Sequence, residues 1–115
     1  MITDVFCKIV NRELPSEVVL DDKDFLVIKD IHPEAPIHLL IIPKKHFESL
    51  SDLKEKDASL LGKAFLMAHR AAEKMGIGGK GYRLIVNEGI HGGKLVPHFH
   101  IHLLGGKRLG PKILK

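Results

Sequence analysis

Three of the chain's eight histidines fall within five positions near its C-terminal end, at His98, His100 and His102, alternating with Phe99 and Ile101. Alternation at period two is the pattern of a strand with one buried face. Successive side chains on a strand point to opposite faces, with a rise of about 3.3 Å per residue. The imidazoles then form a row, roughly 6.6 Å between neighbours, while Phe99, Ile101 and Leu103 face a core. Packing alone gives little reason for such a row, because three adjacent imidazoles repel when protonated and gain little when neutral.

Two chemistries compete for these residues. Neutral imidazole is a common zinc ligand, and catalytic zinc often takes three protein ligands and a water. Strict alternation fits poorly, because the outer histidines stand roughly 13 Å apart at the backbone and zinc–nitrogen bonds are about 2.0–2.1 Å. Nucleophilic attack on phosphorus fits better. A histidine with a free pKa near 6.5 is substantially neutral at neutral pH, and a neutral imidazole can form a covalent phosphoryl intermediate that water hydrolyses. Backbone N–H groups around Gly92 and Gly93, just ahead of the histidines, can make an anion-binding concavity.

The rest of the sequence must position this run. Val5, Phe6, Ile9 and Val10 have helical spacing over Val5 to Arg12, and Pro15 ends the helix. Glu17 to Leu20 and Phe25 to Lys29 read as a hairpin about Asp21-Asp22-Lys23-Asp24. Pro33 and Pro36 make the next segment a loop. His38 to Ile42 is a continuous apolar run, expected as a central strand covered on both faces and stopped by Pro43. Ser51 or Asp52 can cap a long helix, with Glu55 reaching back. Leu61, Ala64, Ala68, Ala71 and Met75 give that helix its apolar stripe, widened by Leu60 and Met67. Gly76 closes it, and His69 on it reads as a surface or packed histidine. Gly81 to Val86 is a fourth strand, and Gly89 to Lys94 a glycine-rich loop. The expected fold is α+β: a five-stranded, mainly antiparallel sheet with helices on one face, a short N-terminal helix and one long central helix. An edge strand or the long helix would serve a homodimer.

Composition narrows the class. At 115 residues, 44% apolar and 28% charged, the chain reads as one globular domain over residues 1–115. Cys7 is the single cysteine, which excludes an intrachain disulfide and suits a reducing compartment. Met1-Ile2-Thr3-Asp4 has no signal-peptide pattern. No apolar run approaches the ~20 residues of a membrane span, so the expected location is cytoplasmic. The net charge of +4 comes partly from Lys44-Lys45 and from a tail with Lys107, Arg108, Lys112 and Lys115. It reads as a solvated surface compatible with a phosphate-bearing ligand. Nucleic acid is not the expected partner, because the few aromatics are not interleaved with basic residues.

The run His98-Phe99-His100-Ile101-His102-Leu103-Leu104 resembles the signature of the histidine triad family of nucleotide hydrolases and transferases. Phe6-Cys7-Lys8-Ile9, Leu14-Pro15, Asp30-Ile31, His38, Ile42-Pro43-Lys44-Lys45-His46, Tyr82-Arg83, Asn87-Glu88-Gly89, Gly92-Gly93 and Leu104-Gly105-Gly106 extend the likeness over nearly the whole chain. It is greatest to the Hint-like branch, homodimeric purine nucleoside phosphoramidases. The resemblance implies that His100 is the nucleophile. It also implies that His102 and His38 bind or orient around the phosphate, and that His98 supports the nucleophile. Asn87 and the Gly93 backbone would contact the phosphate region and Asp30 the ribose hydroxyls. Val5, Phe6, Ile9, Ile28 and Ile31 would line the base pocket, although each also reads as plain core packing.

The implied activity is hydrolysis of purine nucleoside phosphoramidates or related adenylyl conjugates to the nucleoside monophosphate, through a nucleotidyl-histidine intermediate. It needs no cofactor and assigns no metal to the reaction. Hydrolysis of dinucleoside polyphosphates is the rival activity. A nucleotide-binding regulatory module is the rival class, because Lys94 and Leu95 stand where the family usually has Gln and then Ser or Thr. Pro97 also removes a backbone donor just before His98, and the tail lacks the aromatic residue of Hint relatives. Some bacterial relatives carry Cys-x-x-Cys near the N-terminus and join it to two histidines around a structural zinc. Here Asp4 replaces one cysteine, so the corresponding set would be Asp4, Cys7, His46 and His98, all residue types that bind zinc.

Overall fold

The computed structural model describes residues 4–111; the tail lysines Lys112 and Lys115 and the opening Met1-Ile2-Thr3 lie outside them. In chain order the elements are α1 (Val5–Val10), β1 (Val18–Asp21), β2 (Phe25–Lys29), β3 (Ile37–Pro43), α2 (Ala58–Lys74), β4 (Arg83–Ile85) and β5 (Ile101–Gly105). The strands form one sheet in the order β1-β2-β3-β5-β4, every neighbouring pair antiparallel. The α+β architecture is as the sequence pattern predicts, and β3 is the central strand. Its run from His38 to Pro43 is buried throughout.

Each face of the sheet has its own core. Phe25, Val27, Leu39, Ile41, Ile101 and Leu103 pack with Ala64, Met67, Ala68, Ala71 and Ala72 of α2. The small alanine stripe lets the helix axis approach the sheet closely. Leu26, Ile28, Leu40 and Ile42, the alternate residues of β2 and β3, pack with Phe6 of α1. The helices therefore cover opposite faces, not one face as expected, because fully apolar β2 and β3 have two sides to bury. No described helix is long and apolar enough to cross a membrane.

Several boundaries move for local reasons. α1 stops at Val10, before Pro15 can act, as Glu13 N–H reaches back to Lys8 O at 2.7 Å and Arg12 N–H to Ile9 O at 3.1 Å. Arg12 takes the left-handed position, φ 64°, usually given to glycine in this helix-ending motif. The capping box lies at Ser49 and Asp52 on a 3₁₀ turn, Leu50–Asp52, rather than at Ser51 or Asp52 with Glu55. Leu53 is extended there, which delays α2 to Ala58. Gly76 does close α2, at φ 79°, with Ile77 N–H on Ala72 O at 3.0 Å.

β5 begins only at Ile101. The register Ile41↔Ile101 would set Pro43 against Phe99, and proline has no N–H for the ladder. Phe99 N–H goes instead to Phe47 O at 2.7 Å. The alternation still holds: Phe99 is in the α2-side core, while His98 and His100 are buried beside Phe6.

Candidate functional site

His100 is buried, its ring edge-on to Phe6 with centroids 4.8 Å apart. Its Nδ1 lies 2.7 Å from the His98 carbonyl oxygen. A carbonyl only accepts, so the ring proton is on Nδ1 and Nε2 keeps its lone pair. Burial is the largest influence on this imidazole and pushes its pKa down to about 4; the positive charges of His102 and Lys94 act in the same direction, while the bond to the His98 carbonyl opposes them. At neutral pH the ring is uncharged, with its free lone pair on Nε2.

A second tautomer is fixed from the opposite side. Glu34 N–H donates to His38 Nδ1 at 3.1 Å, so the neutral His38 ring carries its proton on Nε2. That proton faces His102 Nδ1 at 3.0 Å, with Asp30 Oδ2 at 3.4 Å. His102 then holds its own proton on Nε2, a remaining hydrogen-bond donor. Burial, and after it the charge of His38, lowers the His102 pKa, while Asp30 raises it. The His100 and His102 ring centroids are 4.9 Å apart, one ring keeping a lone pair and the other an N–H. That pairing suits a phosphorus centre carrying negative oxygens.

Asp30, His38 and His102 also bring ligand atoms within 4.8 Å of one another. A metal there would need the Nε2 lone pair of His38, and the Glu34 N–H fixes a proton on that atom. The cluster fits a proton-ordered relay rather than a metal site.

The other cluster is different. Asp4 Oδ2, Cys7 Sγ, His46 Nδ1 and His98 Nδ1 converge. His46 Nδ1 is 3.1 Å from Asp4, 3.2 Å from Cys7 and 3.2 Å from His98. His98 Nδ1 is 3.3 Å from Asp4 and 3.5 Å from Cys7. His98 is fully buried and its Nε2–H donates to Pro43 O at 2.9 Å. Its Nδ1 therefore turns a lone pair toward a carboxylate, a thiol and a second imidazole. Oxygen, sulfur and nitrogen donors meeting in this way fit zinc, and the Pro43 carbonyl behind His98 is the usual kind of partner for a metal-ligating histidine.

The remaining expected residues divide. Phe6 and Ile28 are buried together in one apolar cluster, with Ile9 packed against it. Val5 is 42% exposed and Ile31 83% exposed, so neither lines an enclosed pocket. Asp30 Oδ1 accepts from His32 N–H at 2.8 Å. Asn87 Nδ2 donates to Gly92 O at 2.7 Å, and Gly93 N–H to Ile90 O at 3.0 Å. The loop thus spends those two donors on its own turns. A Cβ at Gly92 would collide with the Glu88 carbonyl oxygen, so this close approach needs glycine. The main-chain groups that set the tautomers, Glu34 N–H and the carbonyls of Pro43 and His98, carry no side-chain signal. Only the period-two spacing hinted at the last.

A cavity of about 1050 Å³ lies elsewhere, between the α2–β4 turn and the residues after β5. Lys80, Arg83, Lys107 and Arg108 line it, without histidine, cysteine or carboxylate, so it holds no nucleophile of the kind described above.

A family model described as HIT domain matches residues 11–109. A purine nucleoside phosphoramidase of Escherichia coli (strain K12) is 43% identical over 109 residues, covering 95% of this chain and 92% of that protein. The solved structure of a HIT family hydrolase from Clostridium thermocellum superposes with a TM-score of 0.94 at 48% identity, covering 99% of each chain. A zinc-bound histidine triad family protein from Mycobacterium smegmatis matches with a TM-score of 0.76 at 32% identity, covering 94% of this chain and 77% of that one.

Proposed function

The chain belongs to the HIT domain family, and from that premise we propose that it hydrolyses purine nucleoside phosphoramidates, or related adenylyl conjugates, through a nucleotidyl-His100 intermediate. The observation that carries this reading is the His100 Nδ1 to His98 carbonyl bond of 2.7 Å, which leaves Nε2 as a neutral nucleophile. Nε2 attacks the α-phosphorus; a phosphorus–nitrogen bond to His100 forms as the bond to the leaving amine breaks. The amine departs with the bonding pair and takes a proton from solvent. Water then displaces His100 and releases the nucleoside monophosphate. His102 Nε2–H, held in that tautomer by His38, steadies a phosphate oxygen in both steps.

In this reading Asp30 accepts from the ribose hydroxyls, and Phe6, Ile9 and Ile28 offer the purine an apolar wall whose rim is Val5 and Ile31. Asn87 and Gly93 act on the phosphate region through the shape of the loop, their donors being held by Gly92 O and Ile90 O. Asp4, Cys7, His46 and His98 would hold a zinc ion, which supplies a cross-link between α1, the segment after β3 and the start of the triad. The reaction makes no use of it.

A second copy of the chain is the proposed macromolecular partner. Phe65 and Leu66 of α2 are 46% and 66% exposed, and β4 is an edge strand with unpaired backbone groups on one side. Light scattering on the eluted protein is expected to give twice the chain mass. The activity is tested by comparing adenosine phosphoramidate with a dinucleoside polyphosphate as substrates. Faster turnover of the phosphoramidate supports the reading, and turnover of the polyphosphate alone replaces it. Saturable AMP binding without hydrolysis of either would favour the regulatory module.

A further inference from the structure

We propose that the cavity between the α2–β4 turn and the residues after β5 is a second ligand site, one that takes a small oligophosphate. The inference stands apart from the nucleotide reading above. Lys80, Arg83, Lys107 and Arg108 line a space of about 1050 Å³, with no carboxylate among its described lining residues. Basic residues elsewhere have acidic partners: Arg12 and Lys44 with Asp21, Lys29 with Glu17, Lys45 with Asp57 and Lys94 with Glu88. No ion pair among the described residues includes any of the four cavity cations. Like charges around one space repel one another, and a bound anion relieves that repulsion.

Local contacts hold the walls in place. Arg83, half-buried at the start of β4, donates to the Gly110 carbonyl oxygen, which ties the chain after β5 to the sheet edge. Its guanidinium is a rigid fork of N–H donors whose geometry suits phosphate oxygens. On the other wall, Tyr82 Oη meets His69 Nδ1 at 2.7 Å, and that bond pins the phenol ring. Ile77, its N–H on Ala72 O at 3.0 Å, packs so closely under Gly105 that a Cβ there would collide with it. Size and charge then select the ligand. The space is at the upper end of small-molecule sites, about 300–1,000 Å³, and is more than a single phosphate fills. Its cations are matched by a ligand that concentrates several negative charges on adjacent phosphate groups. None of the triad histidines lines it.

The test is calorimetric titration of inorganic tripolyphosphate into wild-type protein and two charge-matched variants, at low and moderate salt. Lys80→Ser with Lys107→Ser removes two exposed lysines of the cavity, and Lys23→Ser with Lys56→Ser removes two exposed lysines outside it. Wild-type protein should bind tripolyphosphate saturably. The cavity pair should weaken it about tenfold, the order for two solvent-screened charges a few ångströms away, and the control pair by no more than roughly twofold. Saturating AMP should leave the wild-type affinity for tripolyphosphate unchanged. ATP titrated in the presence of AMP distinguishes the source. Binding as tight as tripolyphosphate assigns the phosphate chain of a nucleotide, and much weaker binding assigns a free oligophosphate. Absence of saturable heat at low salt would leave a solvated basic face and overturn the inference. So would equal weakening by both lysine pairs, or displacement of tripolyphosphate by AMP. Tripolyphosphate binding by a protein that binds no AMP would support this inference and count against the nucleotide reading.

Discussion

His98 serves two neighbours with two different groups. Its backbone carbonyl takes the Nδ1 proton of His100 at 2.7 Å, while its ring donates Nε2–H to Pro43 O and turns Nδ1 to Asp4, Cys7 and His46. The residue whose carbonyl orients the His100 ring is therefore also the one whose own ring lies in the Asp4–Cys7–His46 cluster. Anything that loosens that cluster should be felt two residues further on.

Zinc loading is expected to stabilise the protein. Adding zinc to chelator-treated protein should raise Tm, and Asp4→Ala should lose that rise. Asp4→Ala should also cost about 1 kcal/mol in zinc-free protein, a typical N-cap loss, because Asp4 Oδ1 accepts from Cys7 N–H at 2.7 Å. Elemental analysis showing well under one zinc per chain, together with an unchanged Tm, would remove the metal from the account.

The His38–His102 relay should matter for turnover more than for binding. His38→Phe removes the Nε2–H that fixes the His102 tautomer, so kcat is expected to fall by roughly 10²-fold with AMP affinity little changed. Equal losses in kcat and AMP affinity would point to a collapsed site instead.

Stability should fall on mild acidification, and the sign follows from His100. Its pKa moves from 6.5 to about 4 in the folded protein, so the unfolded chain binds more protons between those values. The neutral histidine's contribution is complete above pH 6.5 and is lost as the pH falls toward 4. His102 is lowered too and adds to the same slope. Urea unfolding at pH 7 and pH 5 measures it, and His100→Asn should show the smaller difference.

Phe6 joins His100 to the fold. It is buried among Leu26, Ile28, Leu40 and Ile42 and meets His100 edge-on. Phe6→Ala is expected to cost about 3 kcal/mol of stability, the lower end for a buried phenylalanine, and to lower turnover in the fraction that stays folded. Denaturant unfolding and a turnover assay on the same sample check both parts.

The sequence made the strands and the triad legible because both write themselves at period two. β2 falls on Phe25–Lys29 as read, and the apolar run of β3 marks the middle of the sheet. Pro43, read as a strand stop, also ends the pairing of β5, a consequence that needs the register Ile41↔Ile101. The placement of the two helices on opposite faces is not legible in the sequence, because spacing shows which side of a helix is apolar, not which side of the sheet it meets. Phe6 and the alanine stripe of α2 settle that only in three dimensions. At the site, the expected histidines do converge, yet their unequal proton positions come from the main chain at Glu34, Pro43 and His98. Ile31 and Val5 show the limit of reading apolar residues as a pocket, since both stand at the surface.

The most direct test of the central claim is acid-quenched, single-turnover reaction with adenosine phosphoramidate, followed by intact-mass and peptide analysis. The wild-type protein should carry one adenylyl group, mapped to His100. His100→Asn should bind AMP, carry none and turn over no substrate. An adduct on another residue, or wild-type turnover by His100→Asn, would contradict the account.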